Sequence, residues 1–321
     1  MKNRQSEFDV TNTVKVSDSL AVCNVVCDIV RNCYSNANEG LIRRAFEDFD
    51  NLFEGYFEGY NACDTLYHDK QHTLDMTLAL IRLIDGHERK NKDHKLGAEN
   101  TIVAVITALF HDSGYIRKIG DTHHINGAEY TRIHVSRSAS FLRKYLTMIG
   151  LGQYGEIAAN MVHYTGYEVS PENIQLPHAR YHLLGYMIGT ADLIAQMADR
   201  CYLEKCRDRL FPEFVLGGLT ETRTDSGETR VMFKSAEDLL YQTPLFYEHE
   251  VKYRLNSIFK RVYEYAEVHF SGNNFYLESL TQNMNYIQNL MNEGNIDQLR
   301  RLPPENNASL EIIQHFKSKT Y

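Results

Sequence analysis

The sequence predicts an all-α protein, and three observations carry that prediction. Only 6 prolines occur in 321 residues, apolar residues recur at intervals of three and four through most of the chain, and just one short stretch alternates like a strand. In chain order, helices are expected over about 18–34, 39–60, 70–88, 97–110, 126–149, 154–163, 179–206, 235–269 and 274–291. The first two form a helical lead-in, residues 1–60. The helix over 97–110 contains TIVAVITALF, apolar on nearly every side, and is expected to run through the core. The helix over 179–206 contains LLGYMIGTA, an apolar run followed by a single acidic residue, Asp192. Alternating residues in LTETRTDSGETRVMF flank the turn signal Asp225-Ser226-Gly227, so a short hairpin is expected near 216–233, either as a flap beside a pocket or as a solvated excursion. Residues 61–210 hold every motif, and 211–321 add the hairpin and C-terminal helices, ending in the polar segment RLPPENNASLE.

Composition narrows the function. A core this size needs no staple, so a metal here would serve chemistry. With 34 Lys+Arg against 42 Asp+Glu, a net charge of −8 and no long basic run, nucleic acid is not the expected partner. The six cysteines (Cys23, Cys27, Cys33, Cys63, Cys201, Cys206) form no CxxC pair, which reads as reduced thiols in a cytoplasmic protein. The longest apolar stretch, 101–110, is half a bilayer span, and MKNRQSEFDV carries no export signal, so a soluble protein without a membrane partner is expected.

The candidate chemistry lies in His111-Asp112, at the end of the apolar helix. An unpaired aspartate there would cost several kcal/mol, about what protonation, an ion pair or a cation must offset. Imidazole nitrogen and carboxylate oxygen are ligands for Zn, Fe, Mn and, through carboxylates, Mg. His72 upstream and Asp192 downstream complete a four-residue set; a buried histidine bonded to a nearby aspartate is the plainer alternative for the pair alone. In YHDKQHTLDM, His68 and His72 stand four apart, on one face if both are helical, so that one can ligate while the other faces substrate. His134 and His163 fall in successive helices and could each contribute an inward group. His249 and the remaining histidines are expected at the surface, with His182 as the decoy for His163.

The order His72, His111-Asp112, Asp192 resembles the ligand order of the HD-domain superfamily of metal-dependent phosphohydrolases. YHDKQHTLDM is similar to the YHN-x-x-H-x-x-D segment of class I cyclic nucleotide phosphodiesterases, and GTADLIAQM to the segment around their last metal-binding Asp; Asp69 stands where that family has Asn. The resemblance spans roughly residues 67–206. It implies a helical bundle of the HD-domain type, with His72, His111, Asp112 and Asp192 around a first divalent ion and His134 with His163 at a second. It also implies His68 as the acid that protonates the leaving group.

The expected reaction is hydrolysis of a small-molecule phosphoester by metal-activated water, Asp112 and His68 being the central residues. Asp69 is expected to support the proton on His68. Arg117 and Lys118 are candidate phosphate contacts, and Tyr115, Tyr164 and Tyr167 candidates to stack on a base or sugar. Two rivals stand beside this reading: an HD-fold di-iron oxygenase, which would not need His68, and a non-catalytic metal-containing regulatory module. Substrate and metal identity stay open, and so does whether the terminal helices cover the pocket or form a homo-oligomer surface.

Overall fold

The computed structural model describes residues 4–223, 229–299 and 301–303. It is mostly helical. In chain order the helices are α1 (Ser19–Cys33), α2 (Glu39–Glu54), α3 (Lys70–Lys90), α4 (Ala98–Leu109), α5 (His134–Met148), α6 (Gly155–Met161) and α7 (Ala179–Ala198). After these come α8 (Tyr202–Lys205), α9 (Phe211–Leu216), α10 (Ala236–Phe246), α11 (Tyr265–His269) and α12 (Phe275–Glu293). The expected hairpin is present as β1 (Glu221–Arg223) antiparallel to β2 (Thr229–Val231), with Glu221 opposite Val231. Its turn, Asp225-Ser226-Gly227, and the tail beyond Pro303 lie outside the described residues.

Helix α3 is the axis of the fold. Every residue from Gln71 to Glu88 is buried, because α1, α4, α7 and α11 pack around it. A helix covered on all sides must satisfy its polar groups internally. Arg82 therefore pairs with Asp9 at 2.6 Å, and Asp85 receives His269 at 2.6 Å. The C-terminal elements belong to this same packing: α12 lies against α7, and α11 against α3. Among the described residues no helix is long and apolar enough to cross a membrane, and all six cysteines are free thiols.

The helix expected over 179–206 ends at Ala198, with α8 separate from it, and three further boundaries differ from the expectation for a local reason. Helix α2 stops at Glu54 because Gly55 adopts φ 81° and its N–H caps Asn51 and Leu52 carbonyls, a left-handed C-cap that glycine permits. The stretch from residue 126 opens instead as a 3₁₀ turn, Gly127–Tyr130, closed by an Asn126/Glu129 capping box. The long helix expected over 235–269 is interrupted: α10 contains Pro244, then come π-helical turns at Tyr247–Val251 and Arg254–Ile258, and left-handed residues Lys260 and Arg261 end the run.

Candidate metal centre

Three helices deliver the central residues. Asp69 is the N-cap of α3, its carboxylate accepting the His72 N–H at 2.9 Å and pairing with Arg209 at 3.0 Å. His72 thus sits in the first turn, while His68 precedes the helix rather than sharing its face. The end of α4 presents His111 and Asp112, and a 3₁₀ turn, Ser113–Tyr115, follows. Here the start of α5 presses against the backbone: a Cβ on Gly114 would lie 1.8 Å from the His134 carbonyl oxygen. Ser138 Oγ accepts the Gly114 N–H at 2.8 Å, fixing His134 beside the turn. Helix α7 supplies Asp192 from the opposite side.

The side chains meet. His72 Nε2 lies 3.6 Å from Asp112 Oδ2 and 3.2 Å from Asp192 Oδ1. His111 Nε2 lies 3.1 Å from Asp112 Oδ2 and 3.8 Å from Asp192 Oδ1. Bonds of about 2.1 Å to a shared ion at tetrahedral or octahedral angles imply donor separations of roughly 3.0–3.4 Å. Two of the four observed values fall in that range and two lie above it, and all four residues are buried. His134 Nε2 stands 3.8 Å from the other oxygen of Asp112, Oδ1.

Ring orientation decides what these atoms can do. His111 Nδ1 faces the Ala108 carbonyl at 2.8 Å and His134 Nδ1 faces that of Thr131 at 2.7 Å. A carbonyl only accepts, so each Nδ1 carries the proton and each Nε2 of a neutral ring is a bare lone pair. In His111 that lone pair points at a carboxylate oxygen. Both atoms, His111 Nε2 and Asp112 Oδ2, are buried without a hydrogen-bond partner among the described residues. Two acceptors so placed repel unless a positive charge stands between them, either a proton on His111 or a shared cation. Without a cation, burial works against charge on His111, but Asp112 and Asp192 push its pKa up to about 9. Burial likewise opposes ionisation of Asp112, yet His111 and His68 hold its carboxyl well below the usual range. His72, His111 and Asp112 each offer one ligand atom within 4.8 Å of the others, a buried group that could hold an ion, with Asp192 beside the two imidazoles.

His68 is held differently. Its Nδ1 meets Glu213 Oε1, from α9, and Glu213 Oε2 accepts the Tyr67 N–H at 2.8 Å. Burial opposes its charge, but Glu213, then Asp112, raise the pKa to about 9. Tyr115 stacks on His68 at 4.4 Å and on His134 at 4.3 Å, and those two imidazoles are 6.1 Å apart. Glu213 is fully buried and was not anticipated from the sequence. The role given to Asp69 belongs to it; Asp69 is committed to capping α3.

These residues line one end of a cavity of about 930 Å³. Its far wall is apolar, from Leu193 and Met197 through Phe214 to Phe233 and Phe246, with Phe214 stacked on Phe233 at 5.6 Å. Arg132 is the only Arg or Lys in the lining among the described residues, and His249, exposed as expected, also lines it. Several expected site residues do not. Arg117 is drawn off by Asp64 at 2.9 Å, and Lys118 borders a different surface cavity. Tyr164 is buried, its hydroxyl sharing a hydrogen bond with His182 Nδ1 at 2.8 Å, and it does not line the cavity. His163 is outside the lining, its neutral form favoured by burial. Tyr115 does line the cavity but is buried, 2% exposed, and stacked on His68 and His134, whereas Tyr167 lines it and is 62% exposed.

Compared with known proteins, the chain matches no family model, no curated protein and no solved structure.

Proposed function

We propose that this chain is a metal-dependent phosphohydrolase with a bundle of the HD-domain type, acting on a small-molecule phosphomonoester or phosphodiester. The observation that carries the reading is the convergence of His72, His111, Asp112 and Asp192, four donors from three helices, within reach of a histidine that can deliver a proton. Those four residues would hold the first ion, and Asp112 Oδ1 with His134 are the donors available to a second. Zn, Mn and Fe suit the mixed nitrogen and oxygen set; Mg suits its carboxylates. When bound, such an ion acts as a Lewis acid and lowers the pKa of water it holds.

The chain's own residues supply the rest. His68, with Nδ1 turned to Glu213, has Nε2 available for a departing oxygen, and Glu213 keeps the ring protonated through neutral pH. Tyr115, stacked on both His68 and His134, fixes the ring planes. The apolar wall holds the body of the ester and limits water beyond the site.

The test is a screen of phosphomonoesters, cyclic nucleotides and simple diesters with added Mn²⁺, Mg²⁺, Zn²⁺ or Fe²⁺, using the unsubstituted protein, His68→Ala and Asp112→Ala. Hydrolysis that depends on metal and falls in both variants is expected. Absence of any phosphoester turnover, with oxygen-dependent consumption of a diol or phosphonate that His68→Ala retains, would replace the reading by a di-iron oxygenase. Stoichiometric metal with neither activity would indicate a regulatory module.

A further inference from the structure

Behind His72, away from the catalytic cavity, lies a small enclosed chamber lined by Tyr67, Gln71, His72, Asp75, Gln196 and Lys205, with Asp199 and Ala195 completing the wall. It has room of about 10 Å³ for the centre of a water molecule, and a single water needs about 10–15 Å³ on this measure. Most of its polar groups are already committed. Tyr67 Oη donates to Gln196 Oε1 at 3.1 Å, and Gln196 Nε2 donates to the Asp192 carbonyl at 3.2 Å. Lys205 donates to Asp199 at 2.6 Å and to Gln71 at 3.3 Å, and Gln71 Nε2 donates to the Ser6 carbonyl at 2.9 Å.

Two groups are left over. Asp75, 7% exposed and one turn beyond His72 on α3, has a buried Oδ1 without a partner among the described residues. His72 is the other. With Nε2 turned to Asp112 and Asp192, its Nδ1 lies on the opposite edge of the ring, and unlike His111 and His134 it meets no carbonyl among the described residues. A metal-binding imidazole that lacks this second partner has neither its tautomer nor its plane fixed. Asp75, with its buried unpartnered Oδ1, and His72, whose Nδ1 makes no hydrogen bond to a described residue, both line a space the size of one water.

We infer that Asp75 is a positioning residue: through a single water enclosed in this chamber it accepts the proton of His72 Nδ1, and so keeps Nε2 bare and aimed at the ion. This rests on His72 being a metal ligand, as proposed above. The water accepts from His72 Nδ1–H and donates to the Asp75 carboxylate, completing at the third histidine what carbonyls do at the other two. Lys205 and Asp199, paired with each other, bound the chamber on its far side and give it a polar floor.

The test has two arms. Zinc dissociation constants, measured by competition with a chromophoric chelator, are compared for the unsubstituted protein, Asp75→Ala, Asp75→Asn and His72→Ala. Asp75→Ala is expected to weaken binding about 10- to 100-fold, with Asp75→Asn, which keeps an acceptor oxygen, closer to the unsubstituted protein. Zinc affinity unchanged in Asp75→Ala but lost in His72→Ala would overturn the inference alone; affinity unchanged in His72→Ala would overturn the metal site itself. The second arm needs no substitution at Asp75. In ¹⁵N-edited spectra of the zinc-loaded protein, with His72→Gln for assignment, His72 is expected to carry its proton on Nδ1; a proton on Nε2 refutes the inference even if Asp75→Ala does not fold.

Discussion

Two buried polar clusters share helix α3 and obey opposite rules. At Asp9, Arg82 and Tyr276 every charge is answered. Arg82 donates to Asp9 at 2.6 Å and to the Tyr276 hydroxyl at 2.9 Å, while Asp9 also accepts from Thr11 Oγ1 at 2.7 Å and from the Thr13 and Val14 N–H groups at 2.9 Å. At His72, His111, Asp112 and Asp192, acceptors face acceptors, and two buried atoms have no partner among the described residues. The first arrangement is complete and contributes stability. The second lacks a positive charge between its acceptors, which either a proton on His111, its pKa pushed up to about 9, or a shared cation would supply.

The contrast can be broken most severely at Asp192. Asp192→Ala should abolish turnover and metal binding while leaving the metal-free protein as stable as before, or more so, because it relieves crowded acceptors; a thermal melt and metal analysis together check this. His68→Ala should lower turnover about 10²- to 10⁴-fold with metal content unchanged, which separates the proton donor from the ligands. On the structural side, Arg82→Leu strands a buried carboxylate and should cost about 3–5 kcal/mol in denaturant unfolding, yet leave the folded fraction able to bind metal at full stoichiometry.

Glu213→Gln has a smaller effect with a defined sign. The pKa of His68 is raised from 6.5 to about 9, so the His68–Glu213 pair stabilises the fold fully below about 6.5 and loses that contribution as pH rises through about 9. Removing the Glu213 charge returns the pKa toward the ordinary value, so the alkaline limb of the pH–rate profile moves to lower pH. A bound cation shifts both profiles in the same direction and leaves their order intact; coincident profiles would contradict the role given to Glu213. Gly114→Ala should act least directly, costing about 1–3 kcal/mol by driving α5 off the His111-Asp112 turn, with a loss of metal affinity that the chelator competition reads.

How much of this is legible in the sequence depends on the range of the interaction. His111 and Asp112 stand out because a charge at the end of an apolar run must be answered, and that signal is local. Helix α3 and the hairpin strands are legible from periodicity for the same reason. Glu213 is not: it is one acidic residue in the short helix FPEFVL, and nothing near it in the chain says that it reaches His68. Asp69, adjacent to His68, invites that role, but a residue just before an apolar helix is better placed to cap it, and Arg209 holds it there. Arg117 reads as a phosphate contact until Asp64, more than fifty residues earlier, claims it. His249 reads as a surface residue and is exposed; that it also lines the cavity depends on long-range packing that its neighbours in the chain do not record.

The central claim is that His72, His111, Asp112 and Asp192 share an ion, and the metal content of folded protein tests it most directly. After reconstitution and desalting, elemental analysis should find about one to two transition-metal ions per chain in the unsubstituted protein and none in Asp112→Ala of equal helicity. Stoichiometric metal retained by Asp112→Ala, or none in the unsubstituted protein with Zn²⁺, Mn²⁺ and Fe²⁺ each supplied, would contradict the account.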